Sequence, residues 1–570
     1  MRRGLTRIFS RVYHGQSLTI NTLAGSGLPR RFLLQNPAKV RHHGGGRSFA
    51  SAILQSPFQD EDIVATPLTE YLLHCFYSLG DLDALVDYDT KETFTFSQLS
   101  DAVVAVASSL TKRGYVKGDV IAVVTPSNVH ISSLVLGVSA IGATVAMIDP
   151  TSTPEEISRQ LQDCGAQCVV CSQPLVSVVK NFSHTRDIKD LFVLGDADGV
   201  TSFSTLLEDD GRMFRDDIVI DSDNDVMGLF YTGGTTGPPK SAMLTHSNIV
   251  SALHQIRVPV PVRTGLEKVL CATPSHHVYS LVMAHLGVLQ DGGMVVGLRH
   301  PNPQHCLQAV DTYGITRLYT VPSTLKQFTT ADRGYDLSCL ESVYCGAAPL
   351  KRTVATAFTE RFGIRVYQGY GMTETTGLTH VDTEPGDPTT AGVLLPNTLG
   401  KITDPYTGDI LPTGDRGELC IKGPQVMKGY HGNRNATHDV VDKDGWFHTG
   451  DLARASVDGR IVVEGRLADV IMSQGHSVSP NEVEDVLETH SDVEDSAVIG
   501  VPDTQSGEVP KALVVKSNGS SVSQTDLQEF VAANLDTHKH LRGGVEFVDQ
   551  IPRSPSGQIN RRVLKKKAHL

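Results

Sequence analysis

Residues 231–240, from Tyr231 to Lys240, bring three glycines, three threonines and a terminal lysine into one short stretch. Glycine lets backbone N–H groups come close to phosphate oxygens, and threonine hydroxyls and a lysine add further donors. Holding a polyphosphate is the chemistry such a set serves, which makes Thr232, Gly233, Gly234, Thr235, Thr236, Gly237 and Lys240 candidate nucleotide contacts. The stretch is not the usual phosphate loop, because Pro239 precedes Lys240 where that loop needs glycine. Taken alone, a Gly/Thr-rich segment is more often an ordinary turn. Five further blocks follow it in order: Gly346 to Leu350, Tyr367 to Glu374, Gly445 to Asp451, Gly465-Arg466, and Ile551 to Gly557.

The loop lies between an apolar run, Val226 to Phe230, and a helical pattern that begins near Thr245. Upstream, the β-rich runs 121–126, 143–148 and 167–171 alternate with amphipathic patterns over Leu99–Leu110 and Glu155–Leu161. That alternation predicts α/β architecture, with parallel sheets covered by helices. The apolar stretch Leu134 to Ile148 is too short to span a membrane and reads as a buried helix–strand pair. Past Leu394 the runs shorten and turn signals multiply (Pro405, Gly408, Pro412, Gly414), as expected of a small β-structure. A boundary falls near Gly465–Ala468. Beyond it, Ser479 to Glu482 has the form of a capping box with proline first in the helix. Cys164, Cys168 and Cys171 are closely spaced, but they read as a buried segment lacking a fourth ligand rather than as a metal site.

Together the six blocks resemble the signature set of the adenylate-forming superfamily, and within it the 4-coumarate–CoA ligases, from about Thr66 to the end of the chain. The resemblance implies a large domain (50–465) of doubly wound α/β subdomains with a β-barrel-like subdomain, then a small mobile α+β lid (466–570). It implies a ligase that uses ATP, Mg²⁺ and coenzyme A. Thr232, Thr235, Thr236 and Lys240 would line the triphosphate. Gly346, Ala347 and Ala348 would pack against adenine with Tyr370, whose block neighbours Gln368, Gly369 and Gly371 would be further nucleotide contacts. Thr373 would meet the α-phosphate, Glu374 would hold Mg²⁺, and Asp451 with Arg466 would take the ribose. His277 and Tyr279 would gate and line the acid pocket with Cys345, Gly346, Leu378 and Thr379. Gly475 and His476 would serve coenzyme A. Segment 273–279 carries no aspartate to pair an ammonium group, which points to an acid without an amino group. Phenylpropanoid or benzoate-type acids and medium-chain acids both stay open.

The pattern breaks at Gln558, where the superfamily has a lysine that bridges carboxylate and α-phosphate. A glutamine donates without charge, and charged hydrogen bonds are roughly twice as strong as neutral ones. Arg561, Arg562 or Lys565 could supply the missing cation. Ala468 also departs from the lysine or aspartate usual at the hinge. The alternative is therefore an impaired or non-catalytic relative that binds adenylates.

The 570 residues, 40% hydrophobic and 20% charged, suit a globular protein of two or more domains. Residues 1–49 hold nine basic side chains and no acid, the composition of an organellar transit peptide. A mitochondrion is the expected destination, with chloroplast and then peroxisome as alternatives. Without that segment the formal charge falls from −13 to −22, which argues against nucleic acid as a partner. Nine cysteines without regular pairing suit a reducing compartment.

Overall fold

The computed structural model describes residues 53–570 apart from 184–187, 233–238, 300, 332–333, 384–389, 554–556 and 568–570. The basic segment 1–49 lies outside the described residues, as do Gly233, Gly234, Thr235, Thr236 and Gly237.

Two large sheets form the body, each with a parallel centre and antiparallel pairing at one edge or both. One has eight strands, with Val226–Tyr231, Thr144–Met147, Val120–Val124, Cys168–Ser172 and Asp190–Leu194 adjacent and parallel. The other has nine strands. Its parallel centre runs Arg365–Met372, Ser342–Cys345, Arg317–Thr320, Lys268–Cys271, Met294–Gly297 and Asp83–Asp87. The central strands read as unbroken apolar runs because both faces are covered, the pattern expected of parallel sheets. One continuous core takes Ile121, Val145 and Met227 from the first sheet and Val269 and Val295 from the second. It also takes Val103, Leu134 and Ile249 from the helices Phe96–Lys112, Ile131–Ala140 and His246–Arg257. Two of these helices start at capping boxes, Thr95 with Gln98 and Thr245 with Asn248, which satisfy orphan N–H groups of the first turn.

The segment Leu134 to Ile148 is the expected helix–strand pair, Ile131–Ala140 and Thr144–Met147. Cys168 and Cys171 lie on the strand Cys168–Ser172 and Cys164 caps the preceding helix; all three are buried free thiols. Past Leu394 the chain builds a five-stranded antiparallel sheet from Leu399–Thr403, Gly417–Lys422, Phe447–Ala455 and Ile461–Arg466, edged by Leu54–Gln55.

After Arg466 the chain passes to a last sheet made of Ile471–Ser473, His476–Val478, Val493–Asp503, Gly507–Lys516 and Val545–Phe547, backed by Pro480–Leu487 and Gln524–Asn534. The Ser479 capping box does not form. The Ser479 hydroxyl donates instead to the Glu464 carbonyl at 2.5 Å, and Glu482 pairs with Lys539 at 2.6 Å. The end of strand Ile461–Arg466 offers a nearer acceptor, so the hydroxyl ties the small domain to the large one.

Candidate active site

The hairpin of Val226–Tyr231 and Ser241–Thr245 carries the Gly/Thr loop, and its neck is closed. Thr232 N–H donates to the Lys240 carbonyl at 2.9 Å, and Lys240 N–H donates back to Thr232 Oγ1 at 3.4 Å. The Lys240 ammonium sits 4.9 Å over the ring of Tyr430, whose strand Gly429–Tyr430 pairs with the outer strand of the hairpin. The Tyr430 hydroxyl donates to Glu374 Oε1 at 2.7 Å. One tyrosine thus bridges the lysine of the loop and the buried carboxylate.

Glu374 is fixed from its backbone outward. Strand Arg365–Met372 ends in a single 3₁₀ turn, Thr373–Thr375, and the Glu374 carbonyl accepts from Met427 N–H at 2.8 Å. Just before this turn the hairpin with Gly377–Val381 closes so tightly that a Cβ on Gly371 would lie 1.7 Å from the Gly377 carbonyl oxygen. Only glycine fits there. Gly369 and Leu378 meet in the same hairpin, where a Cβ on Gly369 would stand 2.8 Å from Leu378 Cδ2.

Asp451 and Arg466 are a cross-strand pair in the five-stranded sheet, with Arg466 Nε 3.1 Å from Asp451 Oδ1. The Tyr370 hydroxyl donates to Asp451 Oδ2 at 2.7 Å. Burial pushes the Asp451 carboxyl up, against the opposing pull of Arg466 and of the Tyr370 hydroxyl. Tyr370 therefore joins the block around Glu374 to the turn Thr449–Asp451.

Gly346 follows strand Ser342–Cys345, and Ala347 holds φ +69°, a left-handed conformation uncommon for a residue with a Cβ. From the small domain, Gln558 Nε2 donates to the Ala347 carbonyl at 2.9 Å. Lys326 Nζ also reaches across, to the Glu494 carbonyl at 2.8 Å, and Lys351 pairs with Glu488. The small domain thus sits on the site with Gln558 at the segment expected to meet adenine.

Two residues named from sequence have their side chains committed elsewhere. The Gln368 amide is spent on backbone, accepting from Leu350 N–H at 2.9 Å and donating to the Thr390 carbonyl at 3.0 Å, so it braces the block. Strand side chains alternate, so Tyr344 shares a core with Tyr279 and Leu378, while Cys345 points to the other face of the sheet among Val343, Leu318 and Leu270. Burial pushes that thiol well up from its ordinary value.

Tyr279 opens a π-helix, Tyr279–Leu286, and its ring stands 3.3 Å from where a Gly346 Cβ would lie. Its hydroxyl donates to the Tyr344 carbonyl at 3.2 Å. The His277 ring lies tilted against that of His276, with centroids 4.3 Å apart. Burial lowers the pKa of both, that of His276 to about 3, so both are neutral at pH 7. Thr379 is buried, donating to the Tyr370 carbonyl at 3.3 Å. Gly475 lies in the tight turn between Ile471–Ser473 and His476–Val478, where Gln474 and Gly475 both have positive φ, as a two-residue hairpin requires. His476 stacks on His538 at 4.6 Å beside an open groove of about 650 Å³ on the small domain. These two residues do not join the Glu374–Asp451 group.

Tyr430 was missed from sequence. Its only signal is a tyrosine flanked by Gly429 and Gly432, which reads as a turn until the strand beside the hairpin exists. The proposed substitute cation Arg561 is excluded: it is spent inside the small domain on Glu484 at 2.6 Å, Asn481 at 3.0 Å and the Val498 carbonyl at 3.2 Å.

An AMP-binding enzyme family model matches residues 77–431, and the model of that enzyme's C-terminal domain matches 482–558. The chain belongs to the AMP-binding enzyme family. A probable CoA ligase of Humulus lupulus is 34% identical over 85% of this chain and 90% of its own length. A peroxisomal OPC-8:0-CoA ligase of Arabidopsis thaliana is also 34% identical, over 84% of this chain and 90% of its own. Among solved structures, ATP-bound MatB from Rhodopseudomonas palustris superposes with a TM-score of 0.80 at 27% identity, covering 87% of this chain and 98% of MatB. The large domain followed by a small C-terminal one is the architecture shared with these adenylate-forming CoA ligases.

Proposed function

We propose that this chain is an acid–CoA ligase that activates a phenylpropanoid, benzoate-type or medium-chain acid with ATP, then exchanges AMP for coenzyme A. The observation that carries the reading is the convergence of Lys240, Tyr430 and Glu374 with the Tyr370–Asp451–Arg466 group, beneath a small domain whose Gln558 touches Ala347. Attack of a carboxylate on an α-phosphate demands positioning and charge neutralisation more than covalent help. Lys240, with the loop it terminates, would hold the triphosphate, and Asp451, paired with Arg466, would accept from the ribose hydroxyls. Glu374 fits a magnesium ion, being a buried carboxylate oriented by the Tyr430 hydroxyl. Bound there, the ion would neutralise phosphate charge. Neutral His277 and the Tyr279 ring would wall the acid side, and Gly475 with His476 would meet coenzyme A after the small domain turns.

The test uses the full chain with Mg²⁺, ATP, coenzyme A and a panel of aromatic and aliphatic acids, following AMP and acyl-CoA together by mass spectrometry. Acid-dependent formation of both, abolished by Glu374→Ala, is the expected result. Nucleotide binding without either product, across the panel, would favour the non-catalytic alternative that Gln558 raises. Residues 1–49 are proposed as a mitochondrial transit peptide on their nine basic side chains and absence of acids. A fluorescent protein carrying that segment at its N-terminus should enter mitochondria, and a cytosolic signal would overturn the assignment.

A further inference from the structure

Strand pairing brings a second polar group together behind the Asp451 turn. His448 lies directly opposite Cys420 across the Gly417–Lys422 and Phe447–Ala455 ladder, and Glu418 shares the face of Cys420 two residues earlier. Glu418 uses both carboxylate oxygens: Oε2 accepts from His448 Nδ1 at 2.8 Å, and Oε1 accepts from Gly450 N–H at 3.1 Å. Thr449 Oγ1 donates to the Leu419 carbonyl at 2.7 Å and accepts from Asp451 N–H at 3.1 Å. The turn that presents Asp451 is therefore bracketed from strand Gly417–Lys422, with Glu418 at its centre.

We infer that Glu418 and His448 form a charged brace that positions Asp451 for the nucleotide. This rests on the reading of Asp451 as the ribose contact. The Cys420 and Glu418 contacts raise the His448 pKa to about 10, so the pair stays charged across the neutral range. The other charged groups facing it are Asp451, whose carboxyl the Glu418 charge helps push up, Asp442, whose carboxylate is 3.7 Å from His448 Nε2, and Lys401. Lys401 lies opposite Cys420 on strand Leu399–Thr403, with its ammonium over the Trp446 ring. Glu418 and His448 are positioning residues, since neither is held against the expected ligand.

Two variants of the full chain test this. Glu418→Ala removes both anchors and should weaken Mg·ATP binding, read by calorimetry, about tenfold, as expected for loss of a charge-assisted contact. Glu418→Gln keeps an acceptor for Gly450 N–H but turns an amide NH₂ toward His448, which suits only a neutral imidazole. Its ATP affinity should therefore fall as pH drops below about 6.5, the ordinary histidine value, while the wild type stays flat from pH 6 to 8. A flat profile in Glu418→Gln would overturn the brace. Hydrogen exchange of the peptide covering 447–452 supplies a readout independent of nucleotide. It should quicken in Glu418→Ala, and an unchanged rate would overturn the inference even if the wild type bound no ATP, the result that would instead remove the proposed function.

Discussion

Gln558→Lys tests how far a neutral side chain limits the first half-reaction. In this structure Gln558 Nε2 donates to the Ala347 carbonyl at 2.9 Å, so the tip of the small domain already reaches the nucleotide side of the site. A lysine is one bond longer and carries its charge at the end, so the same backbone would deliver an ammonium slightly deeper. Neutral hydrogen bonds contribute about 1 kcal/mol and those to charged groups about 1.5–3 kcal/mol. The expected gain is about 1–2 kcal/mol of transition-state stabilisation, or roughly 5- to 30-fold in rate. Adenylation is measured as pyrophosphate released from acid and ATP without coenzyme A. Thioester formation is measured separately, from presynthesised acyl adenylate and coenzyme A. The first should rise by that factor and the second should change less than about twofold, because the small domain is expected to have turned away by then. An unchanged or slower adenylation in Gln558→Lys, with thioester formation intact, would refute the idea that missing charge limits this step.

Asp451→Asn leaves Arg466 and the Tyr370 hydroxyl without their anion and should cost about 1–3 kcal/mol of stability, seen in urea unfolding, with a larger loss of ATP affinity. Gly371→Ala forces a Cβ to 1.7 Å from the Gly377 carbonyl oxygen, so the hairpin must open. Loss of at least about 3 kcal/mol, or failure to fold, is expected, and a normal melting temperature would contradict the geometry. Burial lowers the pKa of His246 and His285 to about 4 and of His276 and His380 to about 3, below the unfolded value near 6.5. In the window between those values the unfolded chain binds the extra protons, so stability is full above about pH 6.5 and falls as pH drops, by about 1.4 kcal/mol per unit for each histidine. Urea midpoints from pH 7 to 5 should show that slope, and His285→Phe should lessen it by the share of one histidine, about a quarter.

Much of the scaffold was legible because local chemistry fixes it. The apolar run before the Gly/Thr loop became Val226–Tyr231, and the pattern after Thr245 became a capped helix. These outcomes depend on side-chain periodicity and on hydroxyl groups beside free N–H groups, both local. The Ser479 capping box failed for the opposite reason: the winning acceptor, the Glu464 carbonyl, lies 15 residues earlier on another sheet. The Cys345 side chain joins Val343 and Leu318 because strand alternation, and not a motif's place in sequence, decides which face a side chain takes.

By itself, then, the amino-acid order determined the alternating α/β framework, the glycines where a chain must bend or touch, and the six blocks that mark the family. Tertiary structure alone decided which groups meet. Tyr430 reaches Glu374 across 56 residues, Tyr370 reaches Asp451 across 81 and Gln558 reaches Ala347 across 211. Hydrogen bonds and ion pairs act over a few ångströms with strict direction, so partners this distant in sequence are chosen only when sheet order and domain contact bring them together.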